Sequence, residues 1–386
     1  MHLVEQFALS TGLKIDKPFI ETSYYPLCFE KYIVLENGHE VKSRAYGMWQ
    51  DVLLEIKPYL EKQDINIVQI GDAKDELLPL SYDLRGRTTI KQNAYLIKNS
   101  MLHCSTNDFL LDVASYFNIP VVGMYGSTFA HIAKPYWGDS SKQIILESHR
   151  KNLKPTFLAE ENPKTIDFIN PEDIAYSILK LLKIKPKTQQ QTKFIGDLYS
   201  HQILEAVPDF VPSQDFIPNT IVNLRMDYHF DLQNMLHWAS NRKVNIFTNK
   251  IIDLNYLNNI KSNIVGLQQE VCTDLNQKYL NILKNLKIPC ELFTKNERAL
   301  GRLRSKYFDN KITLHKEKTL EDAKKFEFSA EFFYKSNKLI LSKQKKYLSK
   351  YDYLNNRDYN GQDLNIVKDD SFWQDQDYFR IFKKIV

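Results

Sequence analysis

The feature that most constrains the fold is the alternation of short apolar runs with helical patterns along the first half of the chain. Residues 65–70 and 120–125 are apolar runs of strand length, and a glycine turn follows each of them. Between such runs lie segments with apolar side chains at helical spacing, for example residues 46–62. Strands that alternate with helices predict βαβ units and a mainly parallel sheet, so we expect an α/β domain over residues 1–184.

The alternation is interrupted by a polar stretch and then resumes. Residues 244–248 and 289–294 indicate strands, and residues 231–240 indicate a helix. We therefore predict a linker over residues 185–193 and a second α/β domain over residues 194–315. The remaining residues, 316–386, are rich in Phe, Tyr and Lys and show only weak helical patterns. They predict a small β-rich or irregular C-terminal appendage with a hairpin turn at Ser336 and Asn337.

Composition excludes several classes of protein. The chain has 52 Lys and Arg against 47 Asp and Glu, a mild excess without the basic stripe of a dedicated nucleic-acid binder. Its four cysteines form no C-x-x-C pair, so we predict reduced, mostly buried thiols and neither a zinc ribbon nor a redox motif. The N-terminal stretch contains Glu5 and lacks a basic start, and no apolar run approaches about 18 residues. We expect a cytoplasmic protein without a signal peptide or a membrane span.

The most specific signal is the segment from Asp83 to Thr128. It contains the turn Leu-Arg-Gly-Arg-Thr ending at Thr88, a strand followed by Thr106-Asn-Asp, and a Pro-Val-Val strand followed by Gly126-Ser-Thr. These motifs, in this order and spacing, resemble the nucleotide-sugar domain of the heptosyltransferase-type (family 9) glycosyltransferases. Upstream, Lys42 after a strand and the Gly71-Asp72 loop resemble earlier motifs of that domain. The resemblance covers roughly residues 1–184.

The resemblance implies a GT-B-like fold of two Rossmann-like domains. It implies transfer of a sugar from a nucleotide-diphosphate sugar to an acceptor hydroxyl, with neither a metal nor a cofactor. A lysine after a strand can neutralise a phosphate, and small residues before a helix let backbone N–H groups face it. We expect these groups at the carboxyl ends of parallel strands, where open sheets bind ligands. The implied donor-binding residues are Lys42, Gly71, Asp72, Thr88, Thr106, Asn107, Asp108, Asp112, Gly126, Ser127 and Thr128.

Two features depart from the family pattern. Where the family has an Asp-Ser-Gly-x-x-His loop, Phe109 stands in place of the glycine and Asp112 in place of the histidine. These changes remove an easy approach of backbone to phosphate and add a negative charge. In the family the acceptor domain precedes the nucleotide domain, whereas here the resemblance begins with the nucleotide domain. We expect the acceptor domain to be missing from the N-terminus, with residues 194–315 either its permuted replacement or an unrelated domain.

The transfer requires a carboxylate that takes the proton from the acceptor hydroxyl. The candidates are Asp197, in an Ile-Gly-Asp triplet like the one that carries the family's catalytic carboxylate, and Asp227, which follows a predicted strand. A structural aspartate is the alternative for both. A glycan, a saccharide-lipid and a modified nucleic-acid base all remain open as acceptors, as does the oligomeric state.

Two other functions remain open from the sequence. The main alternative is a non-catalytic binding or structural protein that retains a degenerate glycosyltransferase fold. A nucleotide-binding isomerase of the epimerase type, which shares GT-B architecture, is the weaker one.

Overall fold

The computed structural model describes residues 1–38, 41–187, 189–213, 221–323, 329 and 331–385. The chain divides into two compact units, unit 1 comprising Met1–Thr192 with the last residues of the chain, and unit 2 comprising Lys193–Lys383. Thr188 of the predicted linker lies outside the described residues. So do residues 324–328, 330 and 386 of the predicted C-terminal appendage.

Unit 1 is built on a parallel sheet of six strands. In chain order the strands are β1 (Tyr32–Glu36), β2 (Asn66–Ile70), β3 (Tyr82–Asp83), β4 (His103–Thr106), β5 (Val121–Tyr125) and β6 (Gln143–Glu147). The helices are α1 (Leu3–Thr11), α2 (Trp49–Glu61), α3 (Ile90–Lys98), α4 (Phe109–Tyr116), α5 (Ala130–Ala133) and α6 (Pro171–Leu181). The spatial order β3-β2-β1-β4-β5-β6 reverses between β1 and β4. Such a reversal is where open α/β sheets bind ligands.

Unit 2 contains a larger, mostly parallel sheet with the order β13-β12-β11-β10-β9-β8-β15-β16, in which only the β15–β16 pair is antiparallel among the described pairings. A four-stranded sheet has the order β17-β14-β18-β7. The strands are β7 (Gln189–Ile195), β8 (Ile203–Ala206), β9 (Val222–Arg225), β10 (Val244–Thr248), β11 (Ile264–Glu270), β12 (Cys290–Thr294), β13 (Ile312–Leu314), β14 (Phe332–Ser336), β15 (Lys338–Ser342), β16 (Lys345–Tyr347), β17 (Leu364–Asn365) and β18 (Phe379–Ile385). The helices are α7 (Leu232–Ala239), α8 (Leu254–Ile260), α9 (Gln277–Asn285), α10 (Leu300–Lys306), α11 (Lys350–Leu354) and α12 (Asp370–Trp373).

The predicted fold class is confirmed: both units are α/β with parallel sheets, and the C-terminal part is rich in strands. Side-chain caps explain several helix starts. Thr89 and Gln92 form a capping box at α3, and the carboxylates of Asp108 and Asp231 cap α4 and α7. Within the described residues, no helix is both long and apolar enough to cross a membrane. All four cysteines are free thiols, although only Cys104 is fully buried.

The predicted hairpin at Ser336 and Asn337 is wrong. Strands β14 and β15 do flank these residues, but β14 pairs with β17 and β18 whereas β15 pairs with β8 and β16. Lys338, the first residue of β15, pairs with Ile203 of β8 and forms buried ion pairs with Glu205 and Asp375. The predicted linker also differs, since its second half is the beginning of β7. That strand has a polar composition because it lies at the edge of its sheet and its side chains alternate between exposed and half-buried.

The two parallel sheets differ in how many faces are buried. Every residue of β1 and β5 is buried, so these strands are covered on both sides. In β9 and β10, buried residues alternate with half-exposed ones. Only one face of β9 and β10 therefore packs into the hydrophobic core of unit 2, which contains Val222, Leu224, Val244 and Ile246.

A cluster of buried and partly buried charges joins β8, β9 and β15 of unit 2. The Lys338 ammonium lies 3.2 Å from a Glu205 oxygen and 2.9 Å from an Asp375 oxygen. Arg225 bonds to Glu205 at 2.8 Å and to Asp227 at 2.7 Å. Burial lowers the pKa of Lys338, but Asp375 and Glu205 outweigh it and the net shift is upward. The ammonium is therefore charged, and it neutralises two buried carboxylates.

Replacing Lys338 with methionine should destabilise the protein strongly. Lys338→Met keeps the length of the side chain but leaves Glu205 and Asp375 without their shared cation, a loss of about 3–5 kcal/mol for a broken buried pair. The free energy of unfolding from urea denaturation measures the effect. Lys383→Met is the matched control, because Lys383 pairs with the exposed Glu331 and should cost less than about 1 kcal/mol. Equal losses in the two variants would contradict the assigned role of Lys338.

Candidate functional site

Three loops of unit 1 meet at the carboxyl ends of β1, β4 and β5. The Ser43 and Ser127 hydroxyls are hydrogen-bonded at 3.2 Å, and Arg44 donates a hydrogen bond to the backbone oxygen of Asn107 at 2.9 Å. Asn107 in turn donates to the Thr128 hydroxyl at 2.9 Å. The structure therefore brings together Asn107, Ser127 and Thr128, which the sequence singled out. It adds Ser43 and Arg44, which the sequence analysis missed although they follow Lys42 directly.

Strand register explains why these loops are neighbours. Thr106 pairs with Met124 across β4 and β5, and the Asn107 amide continues the ladder to the Met124 oxygen at 3.0 Å. The two strands consequently end at the same height. Thr106 itself is buried. Gly126 is a close-approach position, because a Cβ there would lie 2.6 Å from the backbone nitrogen of Ile166.

Lys42 lies in a short 3₁₀ helix, Lys42–Arg44, and pairs with Glu160 at 2.7 Å. Both side chains are more than 70% exposed, at 72% and 71%. The hydrogen bond to Glu160 raises the pKa of Lys42 and lowers that of the Glu160 carboxyl. Because exposed ion pairs contribute little to stability, this cation can exchange its partner at low cost.

Residues 157–160, which we call the acidic strap, lie across the same loops. The Ser43 hydroxyl donates to the Leu158 oxygen at 2.6 Å, and the Ser43 amide donates to the Ala159 oxygen at 2.9 Å. At its other end, the Phe157 amide donates to the Ser127 oxygen at 2.9 Å. The strap thus connects the loops after β1 and β5 and carries the carboxylate that pairs with Lys42.

The N-terminus of α4 begins beside these loops. The Asp108 carboxylate accepts a hydrogen bond from the Leu110 amide at 3.3 Å, so one of the free amides of the first turn already has a partner within the protein. Phe109 is 52% exposed and does not fill a pocket.

Asp112 lies one turn further along α4 and is half-buried. Its carboxylate accepts a hydrogen bond from the Tyr136 amide at 3.3 Å. Burial is the main cause that raises the pKa of Asp112 to about 6, with a smaller contribution from Asp108. The Tyr136 amide and His2 oppose the shift. Asp112 is therefore turned towards Tyr136 and titrates in an accessible range.

A second group of loops follows β2 and β3. Gly71 has a φ of +134°, and the Gly86 amide donates to its oxygen at 2.8 Å. Asp72 is exposed, and its carboxylate accepts from the Lys74 amide at 2.8 Å. Thr88 bonds to the side chain of Asn93 at 2.6 Å. Gly71, Asp72 and Thr88 therefore belong to this second group, whereas Lys42, Asn107, Ser127 and Thr128 form the first.

Glu36 lies between the two groups, and the sequence analysis did not identify it. It is the last residue of β1, at the switch point of the sheet, and its side chain is buried. Burial, then Asp108 and then Asp75, raise the pKa of Glu36 well above its ordinary value. Its Oε2 has no hydrogen-bond partner within the part of the chain that the structure describes. The available signal was a glutamate that directly continues the apolar run of residues 32–35.

The two candidate bases belong to unit 2. Asp197 is exposed in the turn that follows β7. Asp227 is half-buried, and both of its oxygens accept hydrogen bonds from Arg225, at 2.9 and 2.7 Å. Within the described residues, no group of three or more His, Cys, Asp or Glu side chains is placed to hold a metal ion.

No family model and no curated protein matches this sequence. Among solved structures, a family 9 glycosyl transferase from Veillonella parvula is 16% identical over 47% of this chain and 50% of that one, with a TM-score of 0.33. The E. coli ADP-heptose LPS heptosyltransferase II is 16% identical over 47% of this chain and 51% of its own, with a TM-score of 0.32. The iron-containing dodecameric glycosyltransferase TibC of enterotoxigenic E. coli is 11% identical over 45% of this chain and 52% of its own, with a TM-score of 0.35. The chain spans about half the length of these proteins, and at these scores the likeness carries no inference about activity.

Replacing Asp112 with asparagine should change how stability depends on pH. The native carboxyl has a pKa of about 6 and the unfolded one about 3.8. Between these values the native state keeps a proton that the unfolded state has lost, so the Asp112 contribution to the free energy of unfolding falls as pH rises. Asp112→Asn should therefore raise the melting temperature, relative to the unmodified protein, more at pH 7 than at pH 4.5.

Asp139→Asn is the control for this measurement. Hydrogen bonds from Ser141 lower the pKa of the Asp139 carboxyl, so its removal should not favour the variant at pH 7. Melting curves at the two pH values decide the question. A difference between Asp112→Asn and the unmodified protein that is the same at both would refute the raised pKa.

Proposed function

We propose that this protein is a glycosyltransferase that binds a nucleotide-diphosphate sugar at the carboxyl edge of the unit 1 sheet. The proposal rests on one observation: hydrogen bonds join the loops after β1, β4 and β5, next to the point between β1 and β4 where the strand order reverses. This is the position at which open parallel sheets bind ligands. The residues that meet there include hydroxyl, amide and cationic side chains, which are the groups that bind phosphate and sugar oxygens.

Lys42 is the cation proposed to bind the diphosphate. Its present partner, Glu160, is exposed, and such a pair contributes about 0–1 kcal/mol. A diphosphate carries more negative charge than one carboxylate and would displace Glu160 from the ammonium. Ser127 and Thr128 lie in the neighbouring loop and would supply hydroxyl groups to the same phosphates.

Two carboxyl groups at this edge of the sheet, those of Glu36 and Asp72, are suited to the sugar and ribose hydroxyls of the donor. Burial raises the pKa of Glu36 well above its ordinary value, which lowers the tendency of this carboxyl to ionise and so reduces its repulsion of a phosphate. A protonated carboxyl can also donate a hydrogen bond. The exposed Asp72 carboxylate is an acceptor for sugar or ribose hydroxyls.

The proposed reaction is a displacement at the anomeric carbon. The acceptor oxygen forms a bond to that carbon, the bond from the carbon to the phosphate oxygen breaks, and the nucleoside diphosphate leaves with the electron pair. A carboxylate takes the acceptor's proton, and Lys42 stabilises the departing charge. Asp197 and Asp227 remain the proposed candidates for this carboxylate, and both oxygens of Asp227 accept hydrogen bonds from Arg225.

Donor binding can be tested by thermal shift against nucleoside diphosphates and ADP-, UDP-, GDP- and CMP-linked sugars. One base class should stabilise the protein, by about 2.7 kcal/mol at a hundred times Kd. Lys42→Ala should weaken this binding by about tenfold or more, since it removes a charge-assisted bond. Glu160→Gln should strengthen it, because the competing carboxylate is gone.

Lys57→Ala is the matched control, since Lys57 is also a surface lysine of unit 1 paired with a glutamate, Glu61. It should leave donor binding unchanged. Absence of a shift with every compound at millimolar concentration would reject the proposal in favour of a non-catalytic protein. Opposite effects of Lys42→Ala and Glu160→Gln on one donor would establish the site.

A further inference from the structure

One face of the unit 2 sheet is lined with polar side chains. Six residues of neighbouring strands, five polar and one aromatic, form what we call the polar face: Asn223, Arg225, Asn245, Phe247, Gln268 and Glu291. Central strands of a parallel sheet are usually apolar on both sides, yet here the side chains opposite the hydrophobic core are half-exposed or exposed. This pattern requires an explanation other than core packing.

The residues of the polar face are contiguous because the strands are in register. Asn245 pairs with Asn223, and Phe247 lies between Arg225 and Gln268. Gln268 pairs with Glu291 on the next strand. The face therefore extends across β9, β10, β11 and β12 without interruption.

Hydrogen bonds fix the side chains of this face. Asn245 donates to the Asn223 side-chain oxygen at 3.2 Å, and Gln268 donates to Glu291 at 2.8 Å. Each primary amide has two N–H donors and a carbonyl oxygen with two lone pairs. These bonds use only part of that capacity, so oriented donors and acceptors remain for a ligand.

An aromatic surface lies beside the amides. The Phe247 ring is half-exposed, and the Arg225 guanidinium carbon lies 5.5 Å from its centre. Gly266 pairs with Asn245 in the sheet, and a Cβ there would lie 3.2 Å from the Asn245 side-chain oxygen. Because Gly266 has no side chain, the surface between the Asn245 and Gln268 amides is open to a ligand.

The charge of the polar face is balanced. Arg225 is bonded to two carboxylates, those of Glu205 and Asp227. Glu291 adds a negative charge. The face thus lacks the positive excess on which binding to a phosphate backbone depends.

We propose that the polar face binds a neutral saccharide chain. Sugar hydroxyls both donate and accept hydrogen bonds, as amides do, and the apolar C–H side of a sugar ring fits the face of Phe247. The inference concerns binding alone and does not depend on the proposed transfer reaction.

A pocket continues the polar face at the carboxyl ends of β11 and β12. It has a volume of about 680 Å³ and is lined by Glu270, Val271 and residues 294–298. Glu270 lies two residues after Gln268 and is therefore on the same side of β11. We expect one end of the saccharide chain to lie in this pocket.

An array of immobilised neutral gluco-, manno-, galacto- and N-acetylglucosamine oligosaccharides tests the proposal directly. The strongest binder is then titrated by calorimetry. Asn245→Leu with Gln268→Leu removes two of the three amides of the polar face at similar volume and should weaken binding by about tenfold or more. The matched control is Gln277→Leu with Asn281→Leu, an exposed Gln–Asn pair on α9 at 3.3 Å, which should leave the affinity unchanged.

Melting temperatures establish that the variants fold, and Gln268→Ala alone replaces the double variant if it does not. The proposal is overturned if no oligosaccharide on the array binds, or if both pairs of substitutions affect binding equally. It is also overturned if light scattering shows a dimer that only the polar-face variant disrupts, or if single-stranded oligothymidylate binds there instead. Donor binding by unit 1 is measured separately, so failure of either proposal leaves the other intact.

Discussion

The number of buried faces in each parallel sheet determines where this protein can place its chemistry. In unit 1 the central strands are buried on both sides, so polar groups are concentrated at the strand ends. Glu36, Asn107 and Ser127 all lie at those ends. In unit 2 only one side of β9 and β10 packs into the core, and the other side is free to carry Asn223 and Asn245. We therefore expect unit 1 to bind its ligand at the ends of its strands and unit 2 to bind one on the open face of its sheet.

At the edge of the unit 1 sheet, burial separates groups that can respond to a ligand from groups that cannot. The Lys42–Glu160 pair is exposed, so water compensates for its separation and a more highly charged partner can replace Glu160. Glu36 is buried, and its pKa is raised because the ionised form would lose its hydration beside other carboxylates. We therefore expect the exposed Lys42 ammonium to change its partner when a ligand binds, whereas the buried Glu36 carboxyl stays in place.

Local signals in the sequence predicted much of the fold. The motifs that contain Asp108, the cap of α4, and the turn at Gly126 were identified because caps and turns depend on neighbouring residues. The contacts that the sequence did not indicate are long-range. The acidic strap reaches Lys42 from 118 positions away, and no local pattern marks it. Glu36 was missed because strand periodicity describes faces and gives no information on which strand lies at a switch point.

The false hairpin at Ser336 shows how a distant charge can override a local signal. Two strand-like segments joined by two polar residues favour a hairpin, but Lys338 needs the carboxylates of Glu205 and Asp375 when it is buried. Pairing β15 with β8 meets that need, and Glu205 also bonds to Arg225. Through Arg225, which stacks on Tyr228 at 3.9 Å and approaches Phe247, the same charge cluster holds one end of the polar face. The geometry of that face therefore depends on correct docking of the C-terminal strands, although none of its own residues belongs to them.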